Sequence, residues 1–327
     1  MKPTSISREL EILIKIQRPG FMWGPPGIGK SNVMAQVTDK LKLELQDVRA
    51  VLLDPVDLRG LPAINGDKKA HWCTPDFLPT KGKGVLFLDE LPAAPPLVQA
   101  ACYQLVLDRK LGEYTLPKGW TVMAAGNRET DRAVTHRMPS PLKSRFVHLD
   151  FEVDLEDWVA WALKAGIMTE VIAFMRWRPE LLHQFDPRKN DNAFPTPRTW
   201  EFVSDIMKAK PDEDIEYDLV QGTVGEGAAA EFVGFLRIFR NLPDPDAVLM
   251  DPQNADVPGD PATMYALCGA LARKASDQNI ERLVKYSHRI PKEFSVMMVR
   301  DGKNHNPDIQ QTRAFIEWGS QNKDVLM

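Results

Sequence analysis

The sequence is poor in cysteine and lacks long apolar runs. Three cysteines occur in 327 residues, at positions 73, 102 and 268, without the paired spacing of a metal or redox motif. This usage favours free thiols in a reducing compartment. No apolar run approaches the ~18–20 residues that a transmembrane helix needs, and the N-terminal stretch MKPTSISREL has no apolar core of a signal peptide. These absences predict a cytoplasmic protein without a membrane span.

An excess of basic charge is also absent. Lysine and arginine number 41 against 45 acidic residues, so the formal net charge is −4. No global basic field therefore indicates nucleic-acid binding. The six histidines show no ligand spacing and no pairing with cysteine, so we predict no zinc site. The length predicts two domains.

The first part of the chain alternates short apolar stretches with helical patterns, which predicts an α/β fold with a parallel sheet. Candidate strands are GFMW (20–23), VRAVLL (48–53), GVLFLD (84–89), TVMAA (121–125) and FVHLDF (146–151), with helical windows at 31–43 and 95–108. Helical windows then follow at 154–165, 168–176, 198–209, 226–240, 261–274, 278–288 and 309–318. We predict a five-stranded parallel sheet with helices on both faces over residues 1–152, and a mostly helical domain over 153–327.

The stretch GPPGIGKS (24–31) fits the pattern G-x-x-x-x-G-K-[ST], follows an apolar strand and opens a helical window. Glycines in such a loop let backbone N–H groups turn towards phosphate oxygens, and the helix N-terminus adds partial positive charge. Lys30 is predicted to reach the β- and γ-phosphates of ATP, and the Ser31 hydroxyl to ligate Mg²⁺. The alternative is a plain strand-to-helix turn with a surface lysine. The predicted nucleotide-binding residues here are Gly24, Pro25, Pro26, Gly27, Ile28, Gly29, Lys30, Ser31 and Asn32.

Two later strand ends carry polar residues suited to the same site. Asp89 and Glu90 follow the apolar stretch GVLFL, at the end of a parallel strand where ligands bind. Asp89 is predicted to hold Mg²⁺, and Glu90 to orient the attacking water. Asn127 follows TVMAAG and could contact the γ-phosphate and that water. Taken alone, Asp89 and Glu90 would be interpreted as an acidic loop, and Asn127 as a turn residue.

These stretches resemble a known family. GPPGIGKS, VLFLDE, AAGN and PSPLKSRF occur in the order and spacing of AAA+ ATPases. The chain is most similar to the MoxR branch, through HWCTPDFLP (71–79), VLFLDELPAAPPLVQAACYQLVLD (85–108), YTLPKGWTVMAAGN (114–127) and MPSPLKSRFVHLDF (138–151). DPVDLRGLP (54–62) is similar to the loop after the family's second strand. The resemblance covers roughly residues 20–205. It implies an AAA+ P-loop NTPase core followed by a helical lid.

The resemblance also implies roles for single residues. Asn127 matches sensor 1, and Arg145 in LKSRF matches the arginine finger, which in the family reaches a neighbouring subunit's nucleotide. Arg198 in FPTPRTWEF matches sensor 2, which would touch the γ-phosphate within its own chain. Arg132 and Arg137 precede the finger and could assist. The alternative for Arg145 is a surface salt bridge, and for Arg198 a plain first-turn arginine.

The function that the resemblance implies is an ATPase of MoxR type. Such a protein would form a homo-oligomeric ring, with six subunits as the family expectation, and act as a chaperone-like remodeller of protein complexes. A protein carrying a von Willebrand factor A domain is a candidate client. The loops at 58–79 and 109–119 are candidate client contacts, although 58–79 could instead pack on its own subunit. A nucleic-acid motor and a nucleotide-gated scaffold with slow hydrolysis remain alternatives.

Overall fold

The computed structural model describes residues 1–64, 70–131, 136–189 and 191–322. The chain divides into two compact units. The first comprises Met1–Asp154 with Phe185–Asn190, and the second comprises Leu155–Gln184 with Asp191–Met327. Within the described ranges, no helix combines the length and the apolar character that a membrane crossing requires.

The first unit is built on a five-stranded sheet. Its strands are β1 (Gly20–Trp23), β2 (Glu44–Arg49), β5 (Lys83–Asp89), β8 (Gly119–Gly126) and β9 (Val147–Asp150). They lie in the order β2-β5-β8-β1-β9, and every neighbouring pair is parallel. The predicted five-stranded parallel sheet is therefore confirmed. Its order brings the C-terminal ends of β5, β8 and β1 side by side.

The position of β2 differs from the prediction. The apolar stretch at 48–53 suggests a strand there, but the strand spans Glu44–Arg49 and a 3-10 turn occupies Ala50–Leu52. β2 lies at the edge of the sheet, and Val48 is its one buried residue. An edge strand needs little apolar surface, so its sequence does not show the continuous apolar run of a central strand.

Helices cover both faces of this sheet, as predicted. The helices of the unit are α1 (Pro3–Lys15), α2 (Lys30–Lys40), α3 (Pro55–Arg59), α4 (Pro96–Asp108) and α5 (Ser140–Lys143). On one face α1 and α2 pack against Met22, Phe87 and Met123. On the other, α4 buries Val98 and Leu105 at helical spacing against the opposite side of the strands.

Two antiparallel hairpins extend the unit. One pairs β3 (Leu61–Ile64) with β4 (Ala70–Cys73), and the other pairs β6 (Lys110–Leu111) with β7 (Tyr114–Thr115). Gly112 turns the second hairpin at φ 60°, a left-handed conformation that favours glycine. Both hairpins fall within the loops at 58–79 and 109–119 that the sequence suggests as client contacts.

Within its described residues, the second unit contains no strand. Its helices are α6 (Leu155–Ala165), α7 (Thr169–Trp177), α8 (Pro197–Lys208), α9 (Glu213–Val224), α10 (Glu226–Arg240), α11 (Pro245–Met250), α12 (Pro261–Arg273), α13 (Ile280–Ser287), α14 (Lys292–His305) and α15 (Arg313–Gln321). Helices α9, α11 and α14 are absent from the sequence prediction. One core of this unit is formed by α11–α15 and includes the fully buried Leu267, Tyr286 and Met298.

Candidate nucleotide site

The loop between β1 and α2 has the backbone of a phosphate-binding turn. Gly27 and Gly29 have φ values of 77° and 93°, in the left-handed region that side chains disfavour. A Cβ at Gly24 would lie 2.5 Å from Ile28 Cδ1 and 2.9 Å from the Phe151 carbonyl oxygen. The three glycines of the motif are therefore each required by local geometry.

Backbone amides in this loop are available to a ligand. Among the described residues, none accepts a hydrogen bond from the N–H groups of Gly27, Ile28 or Gly29. The loop leads directly into the N-terminus of α2, which has 11 residues and no side-chain cap. Successive unbonded amides at a helix N-terminus suit a phosphate group. The site fits the ATP phosphates on this observation.

Lys30 joins the loop to the neighbouring strand. Its Nζ donates hydrogen bonds to the carbonyl oxygens of Gly24 at 2.8 Å and Pro25 at 2.9 Å. The same Nζ donates to Asn127 Oδ1 at 2.9 Å. Lys30 and Asn127 are thus brought together although 97 positions separate them. The ammonium lies in the loop, where it can exchange these acceptors for phosphate oxygens.

Ser31 and Asp89 form the second contact between distant segments. Ser31 Oγ donates to Asp89 Oδ2 at 2.7 Å, and the other oxygen, Oδ1, accepts from the Glu90 N–H at 2.9 Å. A hydroxyl and a carboxylate are oxygen ligands of the kind that Mg²⁺ prefers. The donor set therefore fits the ion that the sequence predicts at these two residues.

Glu90 has an unusual backbone. Its φ of 56° and ψ of 29° are left-handed, which is uncommon for a residue other than glycine and typical of strained positions at functional sites. The turn continues into Leu91–Ala93, where Pro92 lies so close to β8 that a Cβ at Gly126 would be 2.2 Å from its Cδ. The Glu90 side chain is exposed and, within the described chain, forms no hydrogen bond or ion pair. It is free to meet a ligand.

Asp47 is a further acidic residue of this region, and no sequence motif includes it. Asp47 lies on β2 opposite Phe87 of β5. Asp89 is two residues further along β5, so Asp47 and Asp89 lie on the same face of the sheet. Burial raises the pKa of its carboxyl, and the negative charge of Asp89 raises it further, whereas Arg49 opposes the shift. The sequence signal is an acidic residue near the end of an edge strand, but only the strand register shows that Asp47 shares a sheet face with Asp89.

The predicted arginines are distributed between the two units. Arg145 follows α5 in the first unit and is exposed, and no described residue forms a hydrogen bond or ion pair with its side chain. The alternative of a surface salt bridge is therefore not supported by the described residues. Arg137 is likewise exposed, and Arg132 lies outside the described residues. Arg198 is exposed at the start of α8 in the second unit, and its role stays a prediction.

The two hairpins contact each other and expose apolar residues. The Trp72 N–H donates to Glu113 Oε2 at 3.3 Å, and the Tyr114 hydroxyl donates to the Pro79 carbonyl at 2.6 Å. On the first hairpin, Leu61 is 68% exposed and Ile64 is 81% exposed. This arrangement leaves apolar side chains open on the β3–β4 hairpin instead of packing them on the unit.

Two of the three thiols are buried, and the described residues form no metal-ligand cluster. Burial raises the pKa of Cys102 and of Cys268 to about 12, so neither is a reactive thiolate. Across the part of the chain that the structure describes, no group of three or more His, Cys, Asp or Glu residues could hold a metal ion.

Comparison with known proteins gives matches among solved structures. No family model and no curated protein matches the chain. NtrX from Brucella abortus in complex with ADP is 15% identical, with 99% of this chain and 68% of that chain covered and a TM-score of 0.43. The RuvB Holliday junction branch migration motor of Thermotoga maritima is 13% identical, with 98% and 86% covered and a TM-score of 0.36. Likenesses at this level carry no argument about activity, which rests on the site itself.

Proposed function

We propose that the chain is an ATPase of the AAA+ class and MoxR type, which converts ATP and water to ADP and phosphate. One observation carries the proposal. Three separate segments meet at adjacent strand ends through the Lys30–Asn127 and Ser31–Asp89 hydrogen bonds. An ordinary strand-to-helix turn does not require a lysine, a hydroxyl, a carboxylate and an amide to lie together.

In this proposal the loop amides and Lys30 bind the β- and γ-phosphates, as their geometry supports. Mg²⁺, when bound, would neutralise charge on the phosphate oxygens, and Ser31 and Asp89 would hold it. Gly24 lies close to the residue after β9, since a Cβ at this position would be 2.9 Å from the Phe151 carbonyl oxygen. Pro25, Pro26 and Ile28 are proposed to line the phosphate loop, and Asn32, in the first turn of α2, to lie next to the phosphates.

Glu90 orients the attacking water and accepts its proton. The water oxygen bonds to the γ-phosphorus while the bond to the β–γ bridging oxygen breaks, and ADP leaves. Asn127 is proposed to hold both the γ-phosphate and the water, because its side chain already contacts Lys30. Glu90 follows the strand directly, in a left-handed backbone conformation, and its side chain is exposed.

Arg145 is proposed to act on a neighbouring subunit. Its exposure and the absence of a polar partner in the described residues support a role outside its own chain. A guanidinium supplied in trans stabilises charge on the transferring phosphoryl group. Arg198 is proposed to complete the site from the helical lid, and the ring would have six subunits.

The work done with ATP is proposed to be remodelling of a protein client in the cytoplasm, with a von Willebrand factor A domain protein as one candidate. The exposed Leu61 and Ile64 on the β3–β4 hairpin support a protein contact there. The net charge of −4 does not favour a nucleic-acid motor. Stimulation of the ATPase by DNA at physiological salt would reverse that ranking.

The Glu90→Gln variant tests the proposal. We expect ATP binding to remain within a few-fold of wild type, while phosphate release falls at least about 100-fold, because a general base is lost. Glu44→Gln is the control, since Glu44 is an exposed glutamate at the other end of the sheet. Unchanged hydrolysis in Glu90→Gln would contradict the proposed chemistry. Retained remodelling with hydrolysis blocked would favour the scaffold instead.

A further inference from the structure

An indole–imidazole hydrogen bond lies directly beside the phosphate loop. Trp23 ends β1 and is followed by Gly24, the first residue of the loop. Trp23 Nε1 donates to His148 Nδ1 at 2.8 Å. His148 lies on β9, the strand that pairs with β1 along this edge of the sheet. The contact therefore links the strand that enters the loop to its neighbour.

The second nitrogen of the same imidazole reaches the segment that carries Arg145. His148 Nε2 lies 2.8 Å from the carbonyl oxygen of Lys143. An indole nitrogen can only donate, so Nδ1 accepts, Nε2 carries the hydrogen and the Lys143 carbonyl accepts from it. Lys143 is the last residue of α5, and Arg145 follows two positions later. One side chain thus connects the phosphate-loop strand to the helix before Arg145.

Aromatic rings lie around the Trp23–His148 contact. The Trp23 ring stacks on Phe21 with centroids 4.2 Å apart, and lies nearly parallel to His148 at 6.0 Å. Phe146, the buried residue directly after Arg145, contacts Phe21 edge-on at 5.4 Å. Lys143, two residues before Arg145, is therefore connected to β1 through His148 and Trp23, and Phe146, directly after Arg145, is connected to it through Phe21.

The side chain of Lys143 makes a second polar contact. Lys143 Nζ lies 4.0 Å from Glu129 Oε1, in the segment that follows Asn127. An exposed pair at this distance contributes little energy on its own. Of these two polar contacts of Lys143, the hydrogen bond between its carbonyl and His148 is the shorter, at 2.8 Å.

We propose that His148 is a positioning residue for Arg145, and that the Trp23–His148–Lys143 bridge aligns this arginine with the neighbouring subunit's nucleotide. This inference rests on the proposed function, in which Arg145 acts in trans. The Arg145 side chain has no polar partner among the described residues, so its direction depends on the backbone from Lys143 to Phe146. A shift of about 1 Å in that backbone can cost about 100-fold in rate.

The test uses two inactive variants that complement each other. Lys30→Ala cannot bind ATP but keeps Arg145, and Arg145→Ala binds ATP but lacks the guanidinium. His148→Phe, which keeps an aromatic ring without either hydrogen bond, is added to one partner at a time, and phosphate release is measured after confirmed subunit exchange. We expect phosphate release to fall about tenfold when His148→Phe is combined with Lys30→Ala. When it is combined with Arg145→Ala, we expect phosphate release to change by no more than about twofold.

Trp23→Phe gives an independent arm, because it removes the indole N–H and retains the stack on Phe21. When Trp23→Phe is placed on the Lys30→Ala partner, it cannot act through ATP binding to that partner, which binds no ATP. We therefore expect phosphate release to fall by about fivefold or more because the bridge is lost. Trp161→Phe on the same partner is the control. Trp161 is also partly buried and contacts another aromatic ring, Trp158, in the second unit.

The outcomes separate the bridge from the proposed function. No loss from His148→Phe, or an equal loss on either partner, would overturn the bridge while the shared site stands. Failure of the unmodified pair to recover activity would overturn the shared site, and the bridge with it. If phosphate release falls only when His148→Phe is on the partner that supplies Arg145, the proposal is supported. A general loss of stability would reduce phosphate release equally on either partner.

Discussion

The Nζ of Lys30 lies 2.9 Å from Oδ1 of Asn127, so a side-chain hydrogen bond joins the phosphate loop to the end of the neighbouring strand, in addition to the backbone hydrogen bond from the Gly24 N–H to the Gly126 carbonyl. This contact crosses from the β1–α2 turn to β8, which lies next to β1 in the sheet. A bound γ-phosphate would compete for the same ammonium. In the proposed mechanism, Asn127 then contacts both the γ-phosphate and the attacking water.

Asn127→Ala is predicted to reduce kcat by about 10–100-fold, because a positioned dipole near the transferring phosphoryl group is lost. KM for ATP should change by no more than a few-fold, since the loop amides remain. Steady-state phosphate release against ATP concentration checks both values. Asn254→Ala, at an exposed asparagine in the second unit, is the matched control. A large rise in KM with kcat unchanged would mean that Asn127 serves binding alone.

Gly126→Ala is predicted to lower both thermal stability and ATPase activity. Its Cβ would lie 2.2 Å from Pro92 Cδ and 2.5 Å from Pro92 Cγ, so the turn that carries Glu90 must move. Pro92→Ala removes those ring atoms and should restore part of the activity when combined with Gly126→Ala. The measurements are melting temperature and phosphate release for the two single variants and the double variant. Additive losses in the double variant would show that this contact is not the cause.

Arg176 and Asp301 form a buried ion pair between α7 and α14 in the second unit. Arg176 Nη1 bonds Asp301 Oδ2, and Nη2 bonds Oδ1 at 2.9 Å. Arg176→Met leaves a buried carboxylate unpaired and should cost about 3–5 kcal/mol of unfolding free energy. The double variant Arg176→Met with Asp301→Leu should recover much of that loss. Urea denaturation followed by tryptophan fluorescence measures both, and a double variant no more stable than Arg176→Met would refute the expectation.

Asp260 gives a pH-dependent contribution through its cap on α12. Its Oδ1 accepts from the Thr263 N–H at 2.8 Å, and hydrogen bonds from Thr263 lower the carboxyl pKa from its ordinary 3.8. Because the folded-state pKa is lowered, the stabilisation is complete above the ordinary value and is lost as pH falls through the lowered one.

Asp260→Ala should therefore cost about 1 kcal/mol at pH 7, the usual contribution of a helix cap. The difference from wild type should shrink as the pH falls below 3.8. Thermal melts at pH 7 and at pH 3 give the comparison. Asp260→Asn is the control, because asparagine caps a helix without titrating. A constant difference between Asp260→Ala and wild type at both pH values would contradict the assigned origin.

Sequence patterns predict those parts of the molecule that depend on local chemistry. The loop before Lys30 is identified because its glycines must adopt left-handed backbone angles, and the strand before Asp89 because a central strand is apolar on both faces. The edge strand β2 is placed wrongly since it buries only Val48. Helix α14 is missed because its sequence, KEFSVMMVRDGKNH, carries many polar residues.

Contacts between distant segments escape the sequence for a different reason. His148 occupies an unremarkable strand position, and its two partners lie 125 and 5 residues away. Asp47 becomes a neighbour of Asp89 only through the register of β2 against β5. The Trp23–His148 contact and the Asp47–Asp89 relationship both depend on strand order and register, which a pattern of apolar residues does not specify.

Recovery of activity on mixing two inactive variants is the most direct test of an ATP site shared between subunits. Lys30→Ala and Arg145→Ala are each predicted to be nearly inactive, with at least about a 100-fold loss, because one lacks the phosphate ligand and the other the guanidinium. Labelled subunits are first shown to exchange, and one variant is then titrated into the other while phosphate release is followed. Activity is expected to return in the mixture. Activity that stays flat despite exchange would contradict a site shared between subunits.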